Sequence, residues 1–304
     1  MTQLILEQAL NGVQFGLMLF LLAAGLTLVF GIMDMINLAH GSLYMVGAYL
    51  AAAAAAASGS FVIGVLAAVA GTMAVGALLE LAVLRRLYTR DHLSQVLATF
   101  ALILIANEAV RMVWGDQPVM LNAPEALAGP VEIAGFSYPA FRLLIIAVGV
   151  LVALALYVAV TKTRVGMWVR AGASNREMTE ALGINVKRLF TIVFAVGAGL
   201  CALAGAMLGP LLAVQVGMGE SILILAFVVI VIGGIGSIRG ALVGSLLVGV
   251  VDTLGRALLP WLLRSFLPGE VAAQLGPALA AILIYVLMAA ILFWKPAGLF
   301  PARG

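Results

Sequence analysis

Asp34, Asn37 and His40 stand close together in the run Gly31-Ile32-Met33-Asp34-Met35-Ile36-Asn37-Leu38-Ala39-His40-Gly41. Residues of these types suit three kinds of work: holding a metal, catalysing a reaction, or meeting a polar solute inside an apolar chain. His40 has no second His, no Cys and no suitably spaced carboxylate beside it in sequence, so no metal site is expected. The other histidine, His92, lies in a basic loop, and no catalytic set forms; the chain is not expected to be an enzyme, and no cofactor is implied. The neighbouring fifty or so residues are otherwise apolar apart from a few Gln, Ser, Thr and Tyr. In hydrocarbon, a polar side chain or unwound backbone is tolerated only where it faces protein or a water-filled cavity. Two readings stand side by side: a short turn between two spans, or a broken helix whose Asn37, His40 and Gly41 line or brace a path through the membrane. On the second reading, Gly41→Leu abolishes uptake and leaves insertion and assembly intact.

The elements that must carry these residues follow from composition. Hydrophobic residues fill 64% of 304 positions and charged residues 10%, with mean hydropathy +1.21. No soluble shell of charge could surround such a core, so the chain is an integral membrane protein. Charge-free runs separate Glu7 from Asp34, Arg188 from Glu220 and Glu270 from Lys295. Each exceeds the roughly 20 residues that cross a bilayer as a helix. Strand-like alternation is absent. The expected fold is all-α, a polytopic transmembrane helical bundle of about 8–10 spans with a broken or re-entrant segment, over a single domain, 1–304. Probable spans lie near 9–30, 38–57, 61–84, 93–113, 139–160, 189–210, 220–238, 240–258 and 276–294. Met1 to Gln8 has neither a basic region nor a cleavage site, so no signal peptide is expected.

Basic residues gather in particular connections: Arg85, Arg86 and Arg90; then Lys162, Arg164, Arg170, Arg176, Lys187 and Arg188; then Lys295 and Arg303 after the last span. The positive-inside rule puts these in the cytoplasm. The connection from Trp114 to Tyr138 has no Lys or Arg and holds Asp116, Glu125 and Glu132, so it faces outward. Nine spans then give an outside N-terminus and an inside C-terminus, provided that the 31–41 break is a full turn. Otherwise the N-terminus is inside.

Small residues recur four apart at Gly12 and Gly16, along Gly197, Cys201, Gly205 and Gly209, and at Gly240 and Gly244, strips that let helices approach closely in lipid. Cys201 reads as a packing residue. Gly197 to Ala202 formally fits a dinucleotide fingerprint but lacks the preceding strand. Asp252 with Arg256, and Glu108 with Arg111, are spaced to pair on one helix.

A second informative stretch runs from Gly172 to Arg188. Ser174 and Glu177 form a capping-box pattern, Gly183 suits a left-handed cap, and Asn185 is a further candidate N-cap. A short helix over about Asn175 to Leu182 is expected, presenting Met178, Ala181 and Leu182 as an apolar patch with Glu180 on its surface. Such a helix fits a groove on a partner; the alternative is a helix lying on headgroups.

Met35 to Gly41, the run from Glu180 to Asn185, Gly233-Gly234-Ile235-Gly236-Ser237-Ile238 with Gly240, and the ending Pro296-Ala297-Gly298-Leu299-Phe300 together resemble the inner-membrane permeases of branched-chain amino-acid ABC importers, the LivH type. The resemblance covers nearly the whole chain in the same order. It implies a multi-pass permease subunit in the bacterial inner membrane, a second related permease, two cytoplasmic ATPase subunits, an external substrate-binding protein and an amino-acid substrate. The Glu180-Ala181-Leu182-Gly183 segment is similar to the family's ATPase-coupling loop; with Met178 from the apolar patch of the same helix, the 161–188 connection is expected to be the coupling loop. No phosphate-binding Gly-x-x-x-x-Gly-Lys-Ser/Thr occurs in the chain, so energy has to come from other subunits. The rival is a stand-alone, ion-coupled transporter of a small organic solute with Asp34, Glu108 or Asp252 as the coupling charge.

Overall fold

The computed structural model describes residues 2–33, 35–133 and 136–301. Its helices are α1 Thr2–Met33, α2 His40–Ser58, α3 Phe61–Leu87, α4 His92–Trp114, α5 Ala140–Lys162, α6 Arg164–Ser174, α7 Arg176–Ala181, α8 Val186–Leu208, α9 Met218–Gly233, α10 Ile238–Leu263 and α11 Gly269–Trp294. A small antiparallel hairpin, β1 Pro130–Ile133 and β2 Phe136–Pro139, lies in the α4–α5 connection. Eight helices among the described residues are long and apolar enough to cross a membrane. The seventh expected span is α9, only 16 residues long. Several helices outrun their apolar stretches, because hydropathy marks the lipid-compatible part while helical hydrogen bonding continues into polar ends. Gly269–Trp294, expected from 276, is one such case.

The bundle is organised around α1, which is buried from Leu17 to Val29 and packs on α5, α8, α9 and α10. Apolar burial provides little drive between helices in lipid, so close packing of small residues has to supply it. Each expected strip meets a specific neighbour. A side chain at Gly12 would fall 2.7 Å from the Cα of Val250, and one at Gly16 would fall 2.8 Å from the Ser245 carbonyl oxygen. Along α8, Gly197 faces Gly25, Cys201 faces His40, Gly205 faces the Tyr44 backbone and Gly209 faces Leu121. That one strip docks both α1 and α2.

Residues 35–39 are non-helical, and α2 starts at His40; Asp34 lies outside the described residues. α2 does not begin beside the end of α1. His40 Nε2 stands where a side chain on Gly25 would go, 2.8 Å from that position, and Gly25 is eight residues, about 12 Å, before Met33. The chain therefore doubles back alongside α1 before the helix resumes. α2 then runs toward Trp114, whose ring is 5.3 Å from that of Tyr49. The first half of α1 is at this same end: Tyr138 Oη donates to Asn11 Oδ1 at 2.9 Å. The break is thus a reversal of direction, and the beginning of α1 shares an end with the acidic 114–138 connection.

The basic connections meet at the other end. Arg85 Nη2 donates to Thr191 Oγ1 at 2.8 Å, and the Arg176 guanidinium is 4.9 Å from the Phe190 ring centre. The last residues close on the same end, with Leu299 N–H bonded to the Ile232 carbonyl and Phe300 N–H to that of Gly233, both at 2.9 Å.

Gly41 abuts the Gly219 backbone on α9, and a side chain there would fall 2.9 Å from Leu223 Cβ. This corrects the expectation that Gly41→Leu spares assembly, since neither backbone can yield without separating α2 from α9. Overpacking of this kind costs about 1–3 kcal/mol. Gly41→Leu is therefore expected to lower the detergent melting temperature and membrane yield along with uptake; a variant that melts like the parent protein while transport is lost would contradict this.

Candidate functional site

At the break, local geometry explains the residue types. Asn37 Oδ1 accepts from Ala39 N–H at 3.1 Å, an Asx turn that redirects the backbone into α2. Asn37 and His40 are each 0% exposed. His40 Nε2 is 3.0 Å from Cys201 Sγ, 161 residues away in sequence, and its ring meets Phe194 edge-on at 6.4 Å. The fold thus brings to His40 a cysteine that is remote in sequence. No group of three or more metal-binding side chains occurs among the described residues. Asn37 Nδ2 is buried without a hydrogen-bond partner among them. Asn37, His40 and Gly41 border neither of the two cavities that flank the bundle; here they hold the break against α1, α8 and α9.

The expected cytoplasmic helix forms as α7. Its N-cap is Asn175, whose Oδ1 accepts from Met178 N–H at 2.9 Å. The capping box expected from Ser174 is corrected: Ser174 remains in the last turn of α6, whereas Asn175 has the extended backbone, φ −152° and ψ 102°, that a cap requires. At the other end, Gly183 has φ +85°. Its N–H bonds to the Glu180 carbonyl at 3.0 Å and that of Ile184 to Thr179 at 3.3 Å, a Schellman closure. Asn185 Oδ1 then caps α8 through Arg188 N–H at 3.0 Å. Met178 and Leu182 are 60% and 73% exposed, and Ala181 is exposed beside them. Glu180 pairs with Arg176 at 3.6 Å across one helical turn.

Sequence reasoning missed the group that anchors this helix. Glu80 is fully buried within a π-helical stretch of α3, Glu80–Leu84. Residues five apart point to different faces of a regular α-helix, but the wider turn carries Arg85 back over Glu80. Arg85 Nη2 bonds to Glu80 Oε2 at 3.1 Å. Tyr88 Oη donates to Oε1 at 2.8 Å and Thr191 Oγ1 to Oε2 at 2.7 Å. Burial, and then the Glu80 carboxylate, push the Tyr88 phenol well above its ordinary pKa. Arg176 of α7 lies over the rings of Tyr88 and Phe190, at 5.9 and 4.9 Å. Tyr88 Oη is also 3.6 Å from Met33 Sδ, the last residue of α1. A lone carboxylate inside an apolar run was the available signal.

Two cavities flank the bundle. One of about 1180 Å³ lies at the basic end among α1, α5, α6, residues 235–239 and 299–301, and is bordered by Arg170 and Arg239. The other, about 520 Å³, lies among α1, α5, α10 and the end of α8. The expected pairs both form: Arg256 Nε meets Asp252 Oδ1 at 2.8 Å, and Arg111 binds Glu108 as well as Asp116.

The family model described as "Branched-chain amino acid transport system / permease component" matches residues 8–292. The chain belongs to this permease family. It is 32% identical over 273 residues to the high-affinity branched-chain amino acid transport system permease protein LivH of Salmonella typhimurium, covering 84% of this chain and 87% of that protein. LivH of Escherichia coli K12 matches to the same extent. The corresponding permease BraD of Pseudomonas aeruginosa is 31% identical over 264 residues, 82% of this chain and 86% of that one. No solved structure matches the chain. The protein is a multi-pass membrane permease, a transport subunit of the kind found in ABC transporters.

The Glu80 cluster predicts a ranking of stabilities. Removing one partner of a buried ion pair costs about 3–5 kcal/mol, less here because Arg85 is one-third exposed, and a hydrogen bond to a charged group contributes about 1.5–3 kcal/mol. Glu80→Ala is expected to melt at lower temperature than Tyr88→Phe, and Tyr88→Phe lower than the parent protein; equal melting of all three would show that the carboxylate does not hold this end.

Proposed function

We propose that this chain is the permease subunit of an ABC importer for branched-chain or similar aliphatic amino acids in the bacterial inner membrane. Residues 1–304 act as one permease domain, beside a second related permease, with two cytoplasmic ATPase subunits and an external binding protein. The observation that carries the reading is α7: a six-residue helix, capped at both ends, attached through Arg176, and turning Met178, Ala181 and Leu182 outward at the basic end. A chain without a phosphate-binding loop needs such a contact to receive work from an ATPase. Met178 and Leu182 seat in a groove of the ATPase, Glu180 offers it a polar contact, and Gly183 directs the chain into α8. Asn37, His40 and Gly41 hold the break at which the translocation path changes shape; the unpartnered Asn37 Nδ2 supports a segment that is rearranged during transport.

The ion-coupled alternative is less well supported. Glu108 sits in an exposed cluster with Arg111 and Asp116, and Asp252 is paired with Arg256.

In proteoliposomes holding the complete complex, uptake of leucine, isoleucine or valine is expected to require ATP and to persist after proton and Na⁺ gradients are collapsed. Full burial of Leu182 would contribute about 1.5–3 kcal/mol to docking, and a side chain at left-handed Gly183 costs about 1–2 kcal/mol. Leu182→Asp should reduce ATPase co-purification, while Gly183→Val and Glu180→Ala should lower uptake per ATP hydrolysed; unchanged co-purification and coupling in all three variants would remove α7 from this role. Sidedness is checked separately in a Cys201→Ser background. A cysteine at position 125 is expected to react with an impermeant maleimide from outside and one at position 86 from inside, and the reverse pattern would invert the proposed orientation.

A further inference from the structure

The 520 Å³ cavity has a lining that a lipid-facing groove would not tolerate. Asp252 lies eleven residues before Leu263, the last residue of α10, so at 1.5 Å per residue it stands about 16 Å in from that end of the helix. Its side chain is 8% exposed, and Arg256, one turn on, is half-exposed. From α5, Arg142 reaches across to α1, where its Nη1 donates to Asn11 Oδ1 at 2.6 Å and, more weakly, to Gln14 Oε1 at 3.4 Å. A carboxylate at such depth faces a water-filled space or a cation, because hydrocarbon does not solvate it, while Arg142, in the first turn of α5, and half-exposed Arg256 stand nearer the helix ends. The cavity lies toward the end that carries Tyr138 and the acidic connection, since Tyr138 and Arg142 share Asn11.

The charges are only partly used on one another. Arg256 occupies Asp252 Oδ1, which leaves the second carboxylate oxygen; Arg142 is held by Asn11, Gln14 and the Tyr138 hydroxyl, and a guanidinium carries five N–H donors. Phe15, Leu208 and Leu211 form an apolar wall of the same cavity. Its volume falls within the 300–1,000 Å³ of small-molecule sites. We propose that this cavity is a receiving site for a zwitterionic aliphatic amino acid: Asp252 takes the α-ammonium, the Arg142 guanidinium, fixed in place by α1 and Tyr138, takes the α-carboxylate, and the wall formed by Phe15, Leu208 and Leu211 takes the side chain. The site rests on the substrate class proposed above and deepens it. It accounts for opposite charges placed together beside apolar residues, which neither an anion site nor a purely apolar channel requires.

The test is photolabelling of the intact permease–ATPase complex in nanodiscs, without binding protein so that its own selectivity does not intrude, using a diazirine analogue of leucine and mapping adducts by mass spectrometry. Adducts are expected within 8–15, 208–212 or 252–257, suppressed by excess leucine. Leucinamide and 4-methylpentanoate, which each lack one charge, should compete poorly. Asp252→Asn and Arg142→Gln should each cut this labelling about tenfold or more, the loss expected for one charge-assisted contact, with Asp252→Glu and Arg142→Lys retaining part of it. The adduct map of the unsubstituted protein decides the matter even if a variant fails to assemble. A phosphatidylethanolamine headgroup carries the same pair of charges. Labelling that ignores leucine but changes when that lipid is omitted would assign the cavity to lipid and overturn the proposal, as would adducts confined to other segments. Uptake by the complete complex is measured in parallel. Transport of leucine with adducts elsewhere sinks the cavity alone, whereas absence of any branched-chain uptake sinks the substrate class and the site with it.

Discussion

Backbone contact between α1 and α8 at Gly25 and Gly197 is the constraint on which the other arrangements depend. With no side chain on either residue, the two helices approach until a Cβ on Gly25 would sit 2.9 Å from the Gly197 carbonyl oxygen. The same space admits His40, whose ring fills the notch beside Gly25 and reaches Cys201. A side chain on Gly25 would expel the ring and with it the start of α2, whereas a Cβ on Gly197 would press on the Gly25 backbone at 3.3 Å and leave the ring at 3.5 Å. The reversal at 35–39 is therefore held from outside, by the packing of two other helices, and not by its own sequence alone. In a lipid setting this is the economical solution, because polar and unwound groups gain shelter from the helices that already touch most closely.

Much of this was legible because a membrane-spanning chain leaves few options. With 10% charged residues, each long apolar run has to be a helix, and the small-residue strips had to face other helices. The cap chemistry around Gly183 and Asn185 was readable for a related reason: short helices depend on local hydrogen bonds, and those bonds are encoded within a few residues. Where two residues competed for one cap, Ser174 and Asn175, spacing alone could not choose; the backbone angles did. The His40–Cys201 contact was beyond reach, since it joins positions far apart in sequence and neither has a local signal. Glu80 is a different kind of omission. Its carboxylate was visible within an apolar run, but its partners depend on a π-helical turn that no residue pattern announced, and on Thr191 from another helix.

That turn gives the basic end its mechanical character. Tyr88 stands where three elements meet: its hydroxyl donates to Glu80 of α3, the same oxygen lies near Met33 at the end of α1, and its ring is stacked edge-on against Phe190 of α8 at 5.7 Å. Arg176 covers both rings from α7. The guanidinium is more weakly hydrated than an ammonium and stacks well on aromatic faces, so it holds α7 to the bundle without withdrawing the apolar face of that short helix from solvent. Through Tyr88 this contact connects α7 to the carboxylate of α3 and to Met33, the last residue of α1. The buried carboxylate is held by Arg85, Tyr88 and Thr191: losing Arg85 would leave its charge without compensation in a region of low dielectric, whereas losing Tyr88 or Thr191 would remove one hydrogen bond to it, so α7, α3 and the end of α1 are joined through a cluster whose geometry the charge fixes.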